Sequence, residues 1–200
     1  MSDRALLLNG LPVVNRLIST HNASGIAVWS KDVPEQANFT TLTPLSNFFL
    51  GYSTRGGFPV DMNAEKEGAV PKDIQNYLKD LSAPPAGVKL EDGTHLRYLD
   101  FAPSKEPYTP YMHRTESIDY GVVIEGVMEV ILESGETKVM NRGDVVIHRG
   151  TKHAWKNIAP NGGWTRMLFT IIPSKKVVVG NKTLGEDAPP LSGVKGPGSN

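Results

Sequence analysis

From Val88 to Pro173 the chain is divided into short β-prone runs at nearly regular intervals, and this recurrence limits the fold more than any other feature of the 200 residues. Residues 94–103 (THLRYLDFAP) alternate, with Leu96, Tyr98 and Asp100 on one face and Arg97, Leu99 and Phe101 on the other. YGVVIEG (120–126), VMEVIL (127–132), TKVM (137–140), DVVIH (144–148), HAWKN (153–157) and WTRMLFTII (164–172) follow. Turn residues bound each run: Glu125-Gly126, Ser134-Gly135, Asn141-Arg142-Gly143, Arg149-Gly150 and Asn161-Gly162-Gly163. Strands spaced by about 8–12 residues predict a sandwich or barrel. The class is all-β.

The flanks read differently. Residues 11–29 hold two short apolar stretches around the turn-like Asn22-Ala23-Ser24-Gly25, and 38–54 form another β-like stretch. Residues 55–70 are Gly-rich and charged. Pro71 then opens the one helical pattern, with Ile74, Tyr77, Leu78 and Leu81 on one face and Pro84-Pro85 as its stop. The expected division is an N-terminal extension over 1–87 that packs on a barrel over 88–173, then a C-terminal strand and flexible tail over 174–200. No fixed-period repeat is present, which argues against a duplicated architecture. The apolar 11–29 strands lack an obvious place in the barrel, so a homodimer in which they cover a sheet edge is expected.

Composition removes several function classes. Lys and Arg number 21 and so do Asp and Glu, leaving no basic excess for a phosphate backbone. No run approaches the ~20 apolar residues of a membrane span, and Ala5 to Leu8 is too short for a signal-peptide core. No nucleic-acid or membrane partner is expected. Cysteine is absent, so disulfides, thiolate zinc sites and a cysteine nucleophile are excluded, and a cytoplasmic location is expected. Neither a phosphate-binding glycine pattern nor a Gly-x-Ser-x-Gly elbow occurs.

Chemistry can still reside in the histidines. Of five, His113, His148 and His153 lie in the strand-rich stretch. In the first of two segments His113, Thr115 and Asp119 stand at i, i+2 and i+6, with Gly126 seven further on. In the second, Gly143 and Gly150 precede His153 and Asn157. These two segments resemble the paired motifs of the cupin superfamily, barrels of jelly-roll type. The resemblance covers roughly residues 88–173 and is closest to small single-domain cupins, including fungal cupin-domain oxidoreductases of polyketide clusters.

The resemblance implies a cupin-type jelly-roll barrel and a centre in which three His and one Glu hold Fe, Mn, Ni or Zn. Here Thr115 replaces the second His and Asp119 the Glu, so the implied metal ligands reduce to His113, Asp119 and His153. A two-His, one-carboxylate set suits non-haem iron with open positions. His148 is read as an exposed strand end beside the Arg149-Gly150 turn. It becomes a replacement ligand only if Arg149 to Lys152 form a hairpin loop that turns it toward His153. Tyr98, Phe101, Tyr108, Tyr111, Tyr120, Trp155 and Trp164 are expected around the mouth in some combination, favouring a hydrophobic small-molecule substrate.

The first functional expectation is an oxidoreductase of secondary metabolism acting on a polyketide-like or phenolic molecule, with a divalent metal. Its rival is metal-free isomerisation, dehydration or decarboxylation. There His153 or His113 is the base, Asp119 orients the imidazole and Tyr120 donates a proton. The catalytic candidates are thus His153, Asp119 and Tyr120. A third expectation is a non-catalytic small-molecule binding module.

Overall fold

The computed structural model describes residues 6–83 and 87–189. A six-stranded antiparallel sheet runs in the order β3 (Thr40–Thr43), β4 (Ser46–Thr54), β5 (Thr94–Phe101), β11 (Thr165–Pro173), β6 (Ser117–Glu125), β9 (Val145–Arg149). A three-stranded sheet faces it in the order β10 (His153–Asn157), β7 (Met128–Leu132), β8 (Thr137–Met140). Both sheets contribute to one core of Val123, Met128, Val130, Met140, Met167, Phe169 and Ile171. Each such side chain contributes about 1.5–3 kcal/mol of hydrophobic stabilisation. The chain is all-β with one short helix, the jelly-roll arrangement that the strand spacing and the motif resemblance lead one to expect.

The alternation read for β5 holds. Leu99 and Phe101 pack on the core, while Tyr98 and Asp100 face the opposite side of the sheet. That outer face is buried too, because residues 6–16 run across it as a strap. Asp100 takes a two-pronged ion pair from its cross-strand partner Arg166, with Nε–Oδ1 at 2.6 Å and Nη2–Oδ2 at 2.7 Å. Arg166 also donates to the Pro12 carbonyl at 2.6 Å, and Asn9 donates to Asp100 at 2.6 Å. A buried pair is tolerable only when its remaining hydrogen-bonding capacity is met, which the strap does here.

The N-terminal half is more deeply integrated than a packed extension. β4 pairs with β5 along its length, so the large sheet runs across the boundary expected near residue 88. Helix α1 (Lys72–Ser82) then covers β4 by burying Ile74 and Tyr77 against Val33, Leu50 and Tyr52. Residues 11–29 do not cover a sheet edge within the chain. Only β1 (Ser19–His21) and β2 (Ala27–Trp29) form strands there, as a separate hairpin that leaves Val28 and Trp29 exposed. Toward the C-terminus, residues 180–189 are not a loose tail. β12 (Val177–Val179) and β13 (Lys182–Leu184) form a hairpin, and Asp187 exchanges two backbone hydrogen bonds with Arg114. Residues 190–200, the rest of the expected tail, lie outside the described residues. No helix among the described residues is long and apolar enough to cross a membrane.

Candidate functional site

His113 and His153, forty residues apart in sequence, are brought together by the backbone. Each donates its amide to the other's carbonyl at 2.9 Å, joining the segment before β6 to the start of β10. Their rings lie 4.4 Å apart between centroids. His148 reaches the same place from the other sheet. It stacks on His153 at 3.6 Å and 6°, and the Trp155 indole stands edge-on to both rings.

His148 is therefore not an exposed strand end: it is 3% exposed. The reason is the corner after it. β9 belongs to the large sheet and β10 to the small one, so Gly150 to Lys152 carry the chain between sheets instead of closing a hairpin. His148 and His153 thus meet across the barrel interior. Gly150 takes φ +62° at this corner, a conformation that favours glycine, and Gly126, with φ +83°, leaves no room for a Cβ against Thr165.

One residue of the corner positions two of the rings. Thr151 presents its hydroxyl to His148 Nδ1 at 3.1 Å and its carbonyl to His153 Nδ1 at 2.9 Å. His113 Nδ1 similarly meets the Tyr111 carbonyl at 3.2 Å. A carbonyl only accepts, so His113 and His153 carry Nδ1–H and present Nε2 as a lone pair. The Thr151 hydroxyl can donate or accept, so His148 alone can adopt either tautomer. Its Nε2 is buried with no hydrogen-bond partner. Sequence reasoning missed Thr151, because nothing in a threonine at a turn marks which rings lie above it.

Asp119 sits directly across the β6–β9 ladder from His148 and is buried. Its Oδ1 has no hydrogen-bond partner. Thr115 is buried and shares a 2.6 Å hydrogen bond with Ser117, so it fills the second-His position as a structural hydroxyl. Tyr120 is a correction to the expected set. It follows Asp119 on the same strand, points to the opposite face, and is 40% exposed beside its cross-strand partner Ile147. It cannot donate a proton into the barrel. Tyr98 leaves the expected mouth as well, packing on Phe39 and Phe49 under the N-terminal strap.

A cleft of about 470 Å³ opens between β8 and β9, the edge strands of the two sheets. Val130, Leu132, Met140 and Val146 form its apolar wall, and His148 and Thr151 also line it. Of the three histidines, His148 is the one this cleft reaches.

The relatives agree with the motif reading. "Phomopsin biosynthesis cluster protein C'" of Diaporthe leptostromiformis is 39% identical over 171 residues, covering 86% of this chain and 84% of that protein. The cupin-domain-containing oxidoreductase fogC of Aspergillus ruber is 34% identical over 178 residues, covering 88% and 80%. The chain belongs to the cupin-domain-containing oxidoreductase family. A second such cupin, virC of Hypocrea virens, is 35% identical over 173 residues, covering 85% and 81%. No protein-family model matches the chain. Among solved structures, KdgF from Halomonas sp. aligns with a TM-score of 0.41 at 15% identity, over 69% of this chain and 89% of that one.

Burial sets the electrostatics of this cupin's site. Desolvation lowers His148 to about 4 and His153 to about 2, with His113 adding to both effects and His148 to that on His153. His113 is lowered as well, again by burial. All three are neutral at pH 7. Desolvation raises Asp119 to about 6, although the Ser117 hydroxyl, the charge of Arg97 and the Thr115 hydroxyl pull it back down. Neutral imidazoles and a carboxylate are donor types that divalent metals accept. Among the described residues, however, no three His, Asp or Glu side chains converge as a ligand group. The residues as arranged do not fit a resident metal.

Proposed function

We propose that this cupin is an enzyme of secondary metabolism that carries out proton transfer on a hydrophobic, phenolic or polyketide-like small molecule. The observation that carries this reading is the His148 Nε2 atom: buried, without a partner, and on a ring that lines the apolar cleft. With Nδ1–H donated to Thr151, this nitrogen accepts a proton from an acidic C–H of the bound molecule. An imidazolium and an enolate form together. The low basicity that burial imposes on His148 is offset by the enolate charge developing beside it. Return of the proton to a different carbon or oxygen completes an isomerisation; its delivery instead to a β-hydroxyl, which departs as water while the enolate electrons form the C=C bond, completes a dehydration and restores the neutral imidazole. Trp155, edge-on to the stacked rings, keeps His148 in place.

2-Tetralone, an apolar ketone with acidic α-hydrogens, is a suitable probe. In D2O the parent protein should speed its α-deuteration, followed by NMR, and His148→Gln should lower that rate by about 10²–10⁴. Chelator should have no effect. A rate independent of His148 contradicts the reading.

The oxidoreductase reading has its own support in the names of the relatives and in the Nε2 lone pairs of His113 and His153. For a metal to be held by His113, Asp119 and His153, their side chains would first have to converge, which they do not as arranged.

A further inference from the structure

Lys138 stands where a core residue belongs. Its cross-strand partner on β7 is Val130, 4% exposed, and Met140, two residues along the same strand, is 5% exposed. Period-two alternation therefore starts the Lys138 side chain on the core-facing side of β8. That side is open at this point because the cleft runs past it, and Lys138 lines the cleft together with His148. The cleft wall carries two other ionic residues, and both are committed to turns. Glu136 Oε2 accepts from Ser134 Oγ at 2.8 Å, and Asp144 Oδ2 accepts from the Asn141 amide at 2.7 Å. Lys138 makes no salt bridge among the described residues.

We infer that Lys138 is a specificity residue which binds the carboxylate of the cleft's ligand, so that the ligand class is an organic acid with an apolar body. This rests on the cleft being the binding site, as proposed above. The apolar body lies along Val130, Leu132, Met140 and Val146, and a polar atom at its far end meets His148. The ammonium is a mobile point charge on a flexible stem, which suits a carboxylate presented at the rim of an apolar slot. The competing role for an inward-pointing lysine on an edge strand is to block edge-to-edge pairing, which requires no ligand at all.

Calorimetric titration of the full chain with 2-naphthoate and its neutral analogue 2-naphthamide separates these roles. The acid should bind about five- to tenfold more tightly than the amide. Lys138→Met should remove that difference and leave amide binding unchanged, and Lys138→Arg should retain most of it. Backbone amide signals of Lys138, Met140 and His148 should shift on adding naphthoate, locating the probe. Equal affinity of the parent for acid and amide, or unaltered naphthoate binding by Lys138→Met, makes Lys138 an edge guard and overturns the inference while leaving the cleft intact. Failure of the parent to bind either probe overturns the cleft reading and the inference with it.

Discussion

Thr151 ties Nδ1 of His148 through its hydroxyl and Nδ1 of His153 through its carbonyl, so a single residue at a sheet-to-sheet corner orients two imidazoles. The buried groups around them respond to pH in opposite senses. The histidines have folded-state pKa values below their usual 6.5. They therefore contribute stability that is present above pH 6.5 and lost as pH falls toward their folded values. Asp119 is raised to about 6, so its contribution is present below about pH 4 and lost as pH rises through 6. Asp119→Asn removes the buried charge while keeping its shape. At pH 7.5 it should stabilise the fold by about 1–3 kcal/mol, seen as a melting temperature higher by about 2–12 °C. The gain should vanish near pH 4. A lower melting temperature at pH 7.5 would mean that the ionised carboxylate is held by more than the Ser117 and Thr115 hydroxyls and the charge of Arg97. Tyr120 was legible at this scale without any structure, since adjacent strand residues face opposite ways and Asp119 occupies the inner face. The face of His148 was not legible. It depends on whether three corner residues close a hairpin or change sheets, and a positive-φ glycine serves either path.

At the scale of elements, the strands from β5 to β11 were readable because alternation and turn glycines mark them locally. Membership of β3 and β4 in the same sheet was not, because that pairing is long-range and the intervening Gly-rich and helical segments leave no local trace of it. The C-terminal hairpin also gained its place through distant partners. Asp187 pairs with the Arg114 backbone at 2.7 and 3.0 Å and with the Lys152 ammonium at 2.6 Å. The ion pair is solvent-screened and contributes little, so the backbone bridge and the β12–β13 packing carry most of the attachment. A chain ending at Gly180 should melt several degrees below the full chain in a calorimetric scan. Identical melting would show that the 181–189 segment adds nothing to the barrel.

For the whole molecule, the exposed apolar side chains among the described residues include two groups of interest. One is the outer face of the large sheet's edge, where Tyr120, Val145 and Ile147 are exposed; the other is the β1–β2 hairpin with Ile26, Val28 and Trp29. We propose that these surfaces meet between two copies, giving a homodimer in which each hairpin covers its partner's sheet edge. Light scattering on the parent should return twice the chain mass, and Val28→Asp with Trp29→Asp should return a monomer that still folds. A parent that is monomeric at high concentration would leave the hairpin without this role. The proton-transfer chemistry proposed for this site rests on a cluster of three neutral imidazoles and on no resident metal. Ring ¹⁵N spectra at pH 7, recorded before and after one equivalent of Zn²⁺, test it most directly. The rings should be neutral, with His113 and His153 protonated at Nδ1, and should not change on adding the ion. Stoichiometric, concerted shifts of the His113 and His153 ring signals would contradict it and identify a metal centre instead.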